Sequence, residues 1–451
     1  MTKCLQALSA LFAAGGLVLL PQAALAQDAN DFAAKFAAAY EYSGYAVTFG
    51  EGTVADGTII YDGATIGVDG LGDLFGPLTI PGPITVEGVV AEPDGGYTAT
   101  RLAMPTFGLE MEGFSFSVAD FVLEGLELPA GPEIAAAEAL RLIKGASTGL
   151  ITVEGGPPVT IAGTRADVTI TDAPDGPVFD AVSSVTGIMV DFSGLEALEL
   201  EAGLAILGKT ALTGRIDQTA RWSLGTGRME IPETAITLDG IGKFNLSMDL
   251  FGYTASLMDE LAASQKSLAA ITDTDDRIAA ELAIGQTTLS ALSLGHIALR
   301  FEELGLIGAL IGFSADAQGI SREEAVDNLV LQLPVLLGSS GTVGDVARLA
   351  EAADAFLRDP RALEFKVAFD PPFAFSSLLT EEEMDEAPEG MSVTLSANGL
   401  EPVPLDLEAL PIEDMLDMMM EGGADDSADD QEDAQPAERP GLPAPAPDPR
   451  G

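Results

Sequence analysis

Cysteine occurs once in the 451 residues, at Cys4, and histidine once, at His296. Cys4 falls inside an N-terminal leader, so disulfides, thiolate nucleophiles and cysteine-based zinc sites are excluded from the rest of the chain. One histidine cannot build a histidine metal cluster, and any hydrolytic triad would have to recruit His296 itself. Positive charge is scarce as well. Lys and Arg number 21 against 71 Asp and Glu, a net charge of −50. That balance leaves phosphate repulsion unopposed, which argues against nucleic acid as a partner and against direct docking on anionic lipid headgroups. Beyond the leader there is no apolar run long enough to span a bilayer.

What is present is apolar and acidic at once. Hydrophobic residues make up 47% of the chain, far above the composition of a disordered chain, so a folded body with an acidic surface is expected. The charge reads as a solubility device more readily than as a partner site. The leader is formed by Lys3, the apolar stretch Leu5 to Leu20, Pro21, and the small-x-small pattern Ala24-Leu25-Ala26. It predicts a signal peptide over residues 1–26, a mature chain starting at Gln27, and a periplasmic or secreted location without a retained membrane segment.

From Gly44 onward the sequence alternates with a period of two. Ile84 and Val86, Phe107, Leu109 and Met111, Phe114 and Phe116, Val168 and Ile170, and Leu198 and Leu200 each alternate with polar or small residues. Such strands have one apolar and one wet face, as antiparallel sheets require. Pro93-Asp94-Gly95-Gly96, Asp62-Gly63 and Pro157-Pro158 supply turn chemistry between them. Further strands are expected at Arg221 to Leu224, Met229 to Leu238, Ile241 to Leu250, Leu289 to Glu302, Ala362 to Phe369 and Met391 to Ser396. Helices are expected over Asp28 to Tyr42, Pro132 to Lys144, Ala255 to Ile271 and from Arg277.

Residues 304–360 form a helical block. It comprises the apolar run Leu304 to Phe313, the capping box Ser321-Arg322-Glu323-Glu324, and a third helix from Thr342 and Asp345 that Pro360 closes. The expected class is therefore β-rich α+β: antiparallel twisted sheets, open to a curved, groove-like form, with a C-terminal helical block inserted between β segments. The divisions are 1–26 signal peptide, 27–303 β-rich with short helices, 304–360 helical, and 361–420 β followed by a short amphipathic segment. A disordered, acidic, Pro-rich tail is expected over 421–451.

Few constellations carry chemistry. Gly145-Ala146-Ser147-Thr148-Gly149 matches a nucleophile pattern, but that mechanism needs a strand before the serine and a helix after it, the reverse of the expected order. Asp56-Gly57, Asp62-Gly63, Asp69-Gly70 and Gly72-Asp73 resemble calcium turns without the full repeat, and Asp-Gly is also ordinary hairpin chemistry. Asp273 to Asp276 reads as a helix start. Met415, Met418, Met419 and Met420 are soft ligand types without an accompanying His or Cys, and finish an apolar helix face begun at Leu405. His296 sits in an apolar strand beside Gly295. No cofactor is implied, and no catalytic or ligand-binding residue is singled out.

The strands Pro83 to Val90 and Phe121 to Leu128, and the passage from Trp222-Ser223-Leu224 to Leu246-Ser247-Met248-Asp249-Leu250, resemble the AsmA-like bacterial envelope family. That resemblance implies a long curved sheet with an apolar inner groove, associated with lipid handling and outer-membrane integrity. The chain departs from the family in keeping no membrane anchor, and no family residue is carried over. Two function classes follow. One is a non-enzymatic exported envelope protein that holds a lipid-like ligand or an envelope protein on an apolar β-face. The other is a metal-independent hydrolase working through carboxylates.

Overall fold

Alternation of this kind buries one face of every strand and wets the other, and the computed structural model realises it in a single antiparallel array. It describes residues 28–406 apart from 43, 69–75, 112, 132–133, 194–205, 270, 272, 340–342, 345 and 380–387. Leu198 and Leu200, the Asp69 to Asp73 turns, Thr342, Asp345, the methionines from Met415 and the 421–451 tail lie outside the described residues.

Helix α1 (Ala29–Glu41) is the first described element. Strands β1 (Tyr45–Phe49), β2 (Gly52–Ala55), β3 (Thr58–Val68), β4 (Leu78–Glu87), β5 (Val90–Ala91), β6 (Tyr97–Met104), β7 (Phe107–Met111), β8 (Phe114–Val118) and β9 (Phe121–Leu128) follow. After the short helix α2 (Ala136–Ala139) come β10 (Gly145–Thr148), β11 (Ile151–Glu154), β12 (Val159–Ile161), β13 (Gly163–Ala173), β14 (Gly176–Asp191), β15 (Ala211–Ser223), β16 (Arg228–Leu238) and β17 (Gly242–Phe251). Helices α3 (Ala255–Ala269) and α4 (Thr274–Ala291) precede β18 (Ser293–Glu303). The block α5 (Leu306–Gln318), α6 (Arg322–Ser339), β19 (Val343–Gly344) and α7 (Val346–Arg358) leads to β20 (Ala362–Ala374), a 3-10 turn (Phe375–Leu379), β21 (Met391–Ala397) and β22 (Val403–Asp406).

Every pairing is antiparallel. The main ladder runs β1, β3, β4, β6, β9, β10, β13, β14, β15, β16, β17, β18, β20, β21, β22. A branch, β7, β8, β11, β12, rejoins it at the far half of β14. The branch arises because the chain breaks along one line, at Pro105-Thr106, Ala119-Asp120, Gly149-Leu150, Ala162 and Gly187. Gly187 has φ +61° and lies so near Ala162 that a Cβ would meet it at 2.6 Å. Beyond that crease β7 returns against β4.

Cross-strand partners share a face, so the register fixes which residues do. At the N-terminal end Ile59, Tyr61, Ile84, Val86, Leu102, Leu123 and Leu126 line one face and are buried. Helix α1 lies over them through Phe32 and Phe36, and the Tyr61 hydroxyl donates to the Ala29 carbonyl at 2.6 Å. In the middle, Leu140, Phe179, Trp222 and Leu224 pack with Met258 of α3. At the C-terminal end Leu349, Ala352 and Phe356 of α7 pack on Ala397 and Val403. All these helices cover the same apolar face.

Three expectations need correction. Among the described residues of the expected helix Pro132 to Lys144, Ala136–Ala139 are helical. Downstream, Leu142 and Ile143 enter the core while Lys144 N–H donates to Glu124 and Leu142 C=O accepts from Glu127, so pairing with β9 replaces the helix. Asp62-Gly63 is a register shift inside β3, and the neighbouring hairpin turns at Asp56-Gly57 instead. Leu289 belongs to α4, and the strand begins at Ser293. The Pro93 to Gly96 hairpin stands, closed by Glu92 and Gly96, as does the Ser321–Glu324 capping box.

Candidate functional site: an uncovered stretch of the apolar face

Between the patch under α3 and the patch under α7, the apolar face continues with no cluster of buried side chains on it. Its rows follow from the register. One runs Ile216, Ile236, Phe244, Phe301, Leu363. The next runs Gln218, Thr234, Leu246, Leu299, Phe365, Leu395, and the third Ile231, Met248, Ile297, Val367, Val393. Ile216, Ile231, Ile236, Phe244, Leu246, Met248, Ile297, Leu299, Phe365 and Val367 belong to none of the four clusters. Leu299 remains 51% exposed and Ile236 43%. The rows contain no ionisable side chain. Their span over β15, β16, β17, β18 and β20 is four strand spacings, roughly 19 Å at the usual separation.

The opposite face of the same strands holds the charge. Arg228 donates to both oxygens of Asp249 at 3.0 and 2.8 Å, and its guanidinium lies 5.5 Å from the centre of the Phe251 ring. Asp249 is buried, and the hydrogen bond it accepts holds the Arg228 guanidinium above its usual range. Lys243 pairs with Glu233 at 2.6 Å, and Arg300 with Glu302 at 3.0 Å and Glu364 at 3.5 Å. Ion pairs of this kind contribute little individually. They do sort the sheet into a charged face and an uncharged one.

His296 stands on the charged face of β18, opposite Asp249 and Ala368. Gly295 beside it is a bulge where a Cβ would come within 2.9 Å of the Phe251 ring. Ser147 lies within β10, paired with Val122 and Arg165. It is flanked by strand on both sides, so no sharp strand-to-helix turn presents its hydroxyl. Asp56 and Gly57 form the β2–β3 turn, both at positive φ. Among the described residues no three His, Cys, Asp or Glu side chains gather as a metal site.

A separate shallow cleft of about 390 Å³ at the N-terminal edge is lined by Glu51, Thr53, Ile60, Tyr61, Asp62, Gly82 and Pro83. Its two carboxylates, Glu51 and Asp62, are exposed to solvent.

The strands of the uncovered stretch were readable as strands, but its role was not. Phe244, Leu246, Met248 and Leu250 alternate along β17, which was the available signal. Alternation identifies the apolar side without saying what covers it.

A family model described only as an uncharacterized protein matches residues 235–398. That segment runs from within β16 to the end of β21, and includes most of the uncovered stretch with the helices α3 to α7. No curated protein matches the chain.

Proposed function

We propose that the chain is a non-enzymatic, exported envelope protein that holds a lipid-like ligand on the uncovered part of its apolar sheet face, with a role in envelope maintenance. The observation that carries this reading is the set of uncharged rows on β15 to β20, left half-exposed between two helix-covered patches. Soluble proteins rarely leave contiguous apolar surface of a few hundred Å² open unless something binds there. An acyl chain meets the requirements of such a surface, because it needs burial and no hydrogen-bond partner. The resemblance to AsmA-like envelope proteins and the N-terminal leader support the same reading and an extracytoplasmic location. A carboxylate-based hydrolase has less support, because the carboxylates of these strands are engaged with arginine and lysine on the opposite face.

Organic extraction of protein purified without detergent, followed by mass spectrometry, tests the proposal. Lipid at a stoichiometry near one or above is expected. A clean extract, together with no uptake from added phospholipid, would overturn it.

A further inference from the structure

The uncharged face of the open stretch is not uniformly apolar. Ser183 on β14, Gln218 on β15 and Thr234 on β16 stand opposite one another across consecutive ladders, and all three are half-buried. Two residues away along these strands the same face is apolar again, at Ala181 and Val185, at Ile216 and Ala220, and at Ile236. Gln218 donates through Nε2 to Thr234 Oγ1 at 3.2 Å. Its second amide hydrogen, with the hydroxyl hydrogens of Ser183 and Thr234, has no partner among the described residues. From Thr234 the row goes on as Leu246, Leu299, Phe365 and Leu395, and Leu395 packs against the cluster that includes Leu349 and Phe356 of α7. A polar island thus lies at one end of an apolar row, and a helix-covered core at the other.

We infer that Ser183, Gln218 and Thr234 form a subsite for the acyl ester of an uncharged glycerolipid, whose chain lies along the row from Leu246 to Leu395. The inference rests on the lipid-holding reading and adds to it the class of lipid and its orientation. Water satisfies the island while it is open, but bare hydrocarbon laid over it would strip that water and return no hydrogen bond. A carbonyl oxygen accepts from the hydroxyl and amide donors that the island offers. Charge narrows the class further. Arg215, Arg221, Arg228 and Arg300 of these strands stand on the opposite face, each paired with a carboxylate. A ligand carboxylate on the island would therefore be covered without a counter-ion, in a chain of net charge −50. An ester keeps the carbonyl and drops the charge. The row crosses four strand spacings from β16 to β21, roughly 19 Å at the usual separation, which a long extended acyl chain can follow.

Competition between lipids that differ only at the ester tests this. The delipidated full chain is incubated with equal amounts of dioleoylglycerol, its diether analogue and ionised oleate in neutral-detergent micelles. Lipid retained through gel filtration is then measured by mass spectrometry. The wild type should retain the ester over the diether by about fivefold, the factor that one net hydrogen bond contributes, and should retain oleate least. Gln218→Leu should bring the ester-to-diether ratio near unity while still retaining the diether, which also shows that the variant is folded. Thr234→Val, of nearly the same shape, should lower the same ratio with less disturbance of the strand, and decides the matter where Gln218→Leu does not fold. The inference falls if the wild type retains ester and diether equally, if oleate is preferred, or if the variants keep the wild-type ratio. Equal retention of all three lipids would remove the subsite and leave lipid holding intact. Retention of none would remove both.

Discussion

Single side chains decide how α1 closes the N-terminal core. The Asp31 carboxylate bonds with Lys35, four residues along the helix, and accepts from the Tyr97 hydroxyl on β6 at 2.9 Å. The Lys35 hydrogen bond, then that of Tyr97, holds the Asp31 carboxyl below its usual range, while burial and the neighbouring carboxylate push the Tyr97 phenol up to about 12. A depressed carboxyl pKa stabilises the fold above the unfolded value, about 4, and that contribution fades as pH falls through the folded value. Asp31 is half-exposed, so solvent screens the effect and the contribution is modest. Asp31→Asn should therefore melt below the wild type at pH 7. The gap should close as the pH is lowered beneath about 4. Melts recorded across that range check it, and a gap that persists in acid would place the effect in packing rather than ionisation.

Elements show where local sequence speaks clearly and where the fold overrides it. The Ser321 cap of α6 was legible because both of its hydrogen bonds are local to four residues. The stretch after α2 was not, because Leu142 and Ile143 are drawn into a core assembled from distant strands. Helix α5 lies between these cases. Its run Leu304 to Phe313 reads as uniformly apolar, and a helix buried all round would suit it. The structure divides it: Ile311 is 3% exposed and packs with Ala325 and Val326, and Ile307 packs against the cluster of Leu349, Ala352 and Phe356, whereas Leu310 and Phe313 point to solvent. Apolarity alone carries no phase, so the buried side could not be picked out in advance. Ile311→Ala should accordingly cost about 2–4 kcal/mol by opening a cavity. Leu310→Asp, on the exposed side, should cost less than about 0.5 kcal/mol. Chemical denaturation of the two variants gives the comparison, and equal losses would show that the whole run is core.

At the scale of the molecule, one sheet carries two surfaces of opposite character, and helices cover only parts of the apolar one. The antiparallel, β-rich class and the helices after residue 255 follow from period and turn chemistry. The uncovered stretch does not, because Val403 packed with α7 and Leu299 in the open both occupy apolar positions of alternating strands. Val403 is 3% exposed and Leu299 51%. If the open stretch is a binding surface, its residues contribute to ligand holding and little to the isolated fold, while covered residues do the reverse. Leu299→Gln combined with Ile236→Gln should leave the melting midpoint of delipidated protein within about 4 °C of the wild type, since half-exposed apolar side chains contribute about 1 kcal/mol or less. Both positions remain in strand and gain a neutral polar end, so neither charge nor pairing is disturbed. Lipid recovered per chain should fall several-fold, because a polar amide on the floor must be desolvated by any acyl chain that covers it. Val403→Ala should lower the midpoint through a cavity and leave lipid recovery unchanged. If both variants lost stability and lipid in parallel, the open stretch would be part of the folding core, and ligand holding would have to reside elsewhere on the molecule.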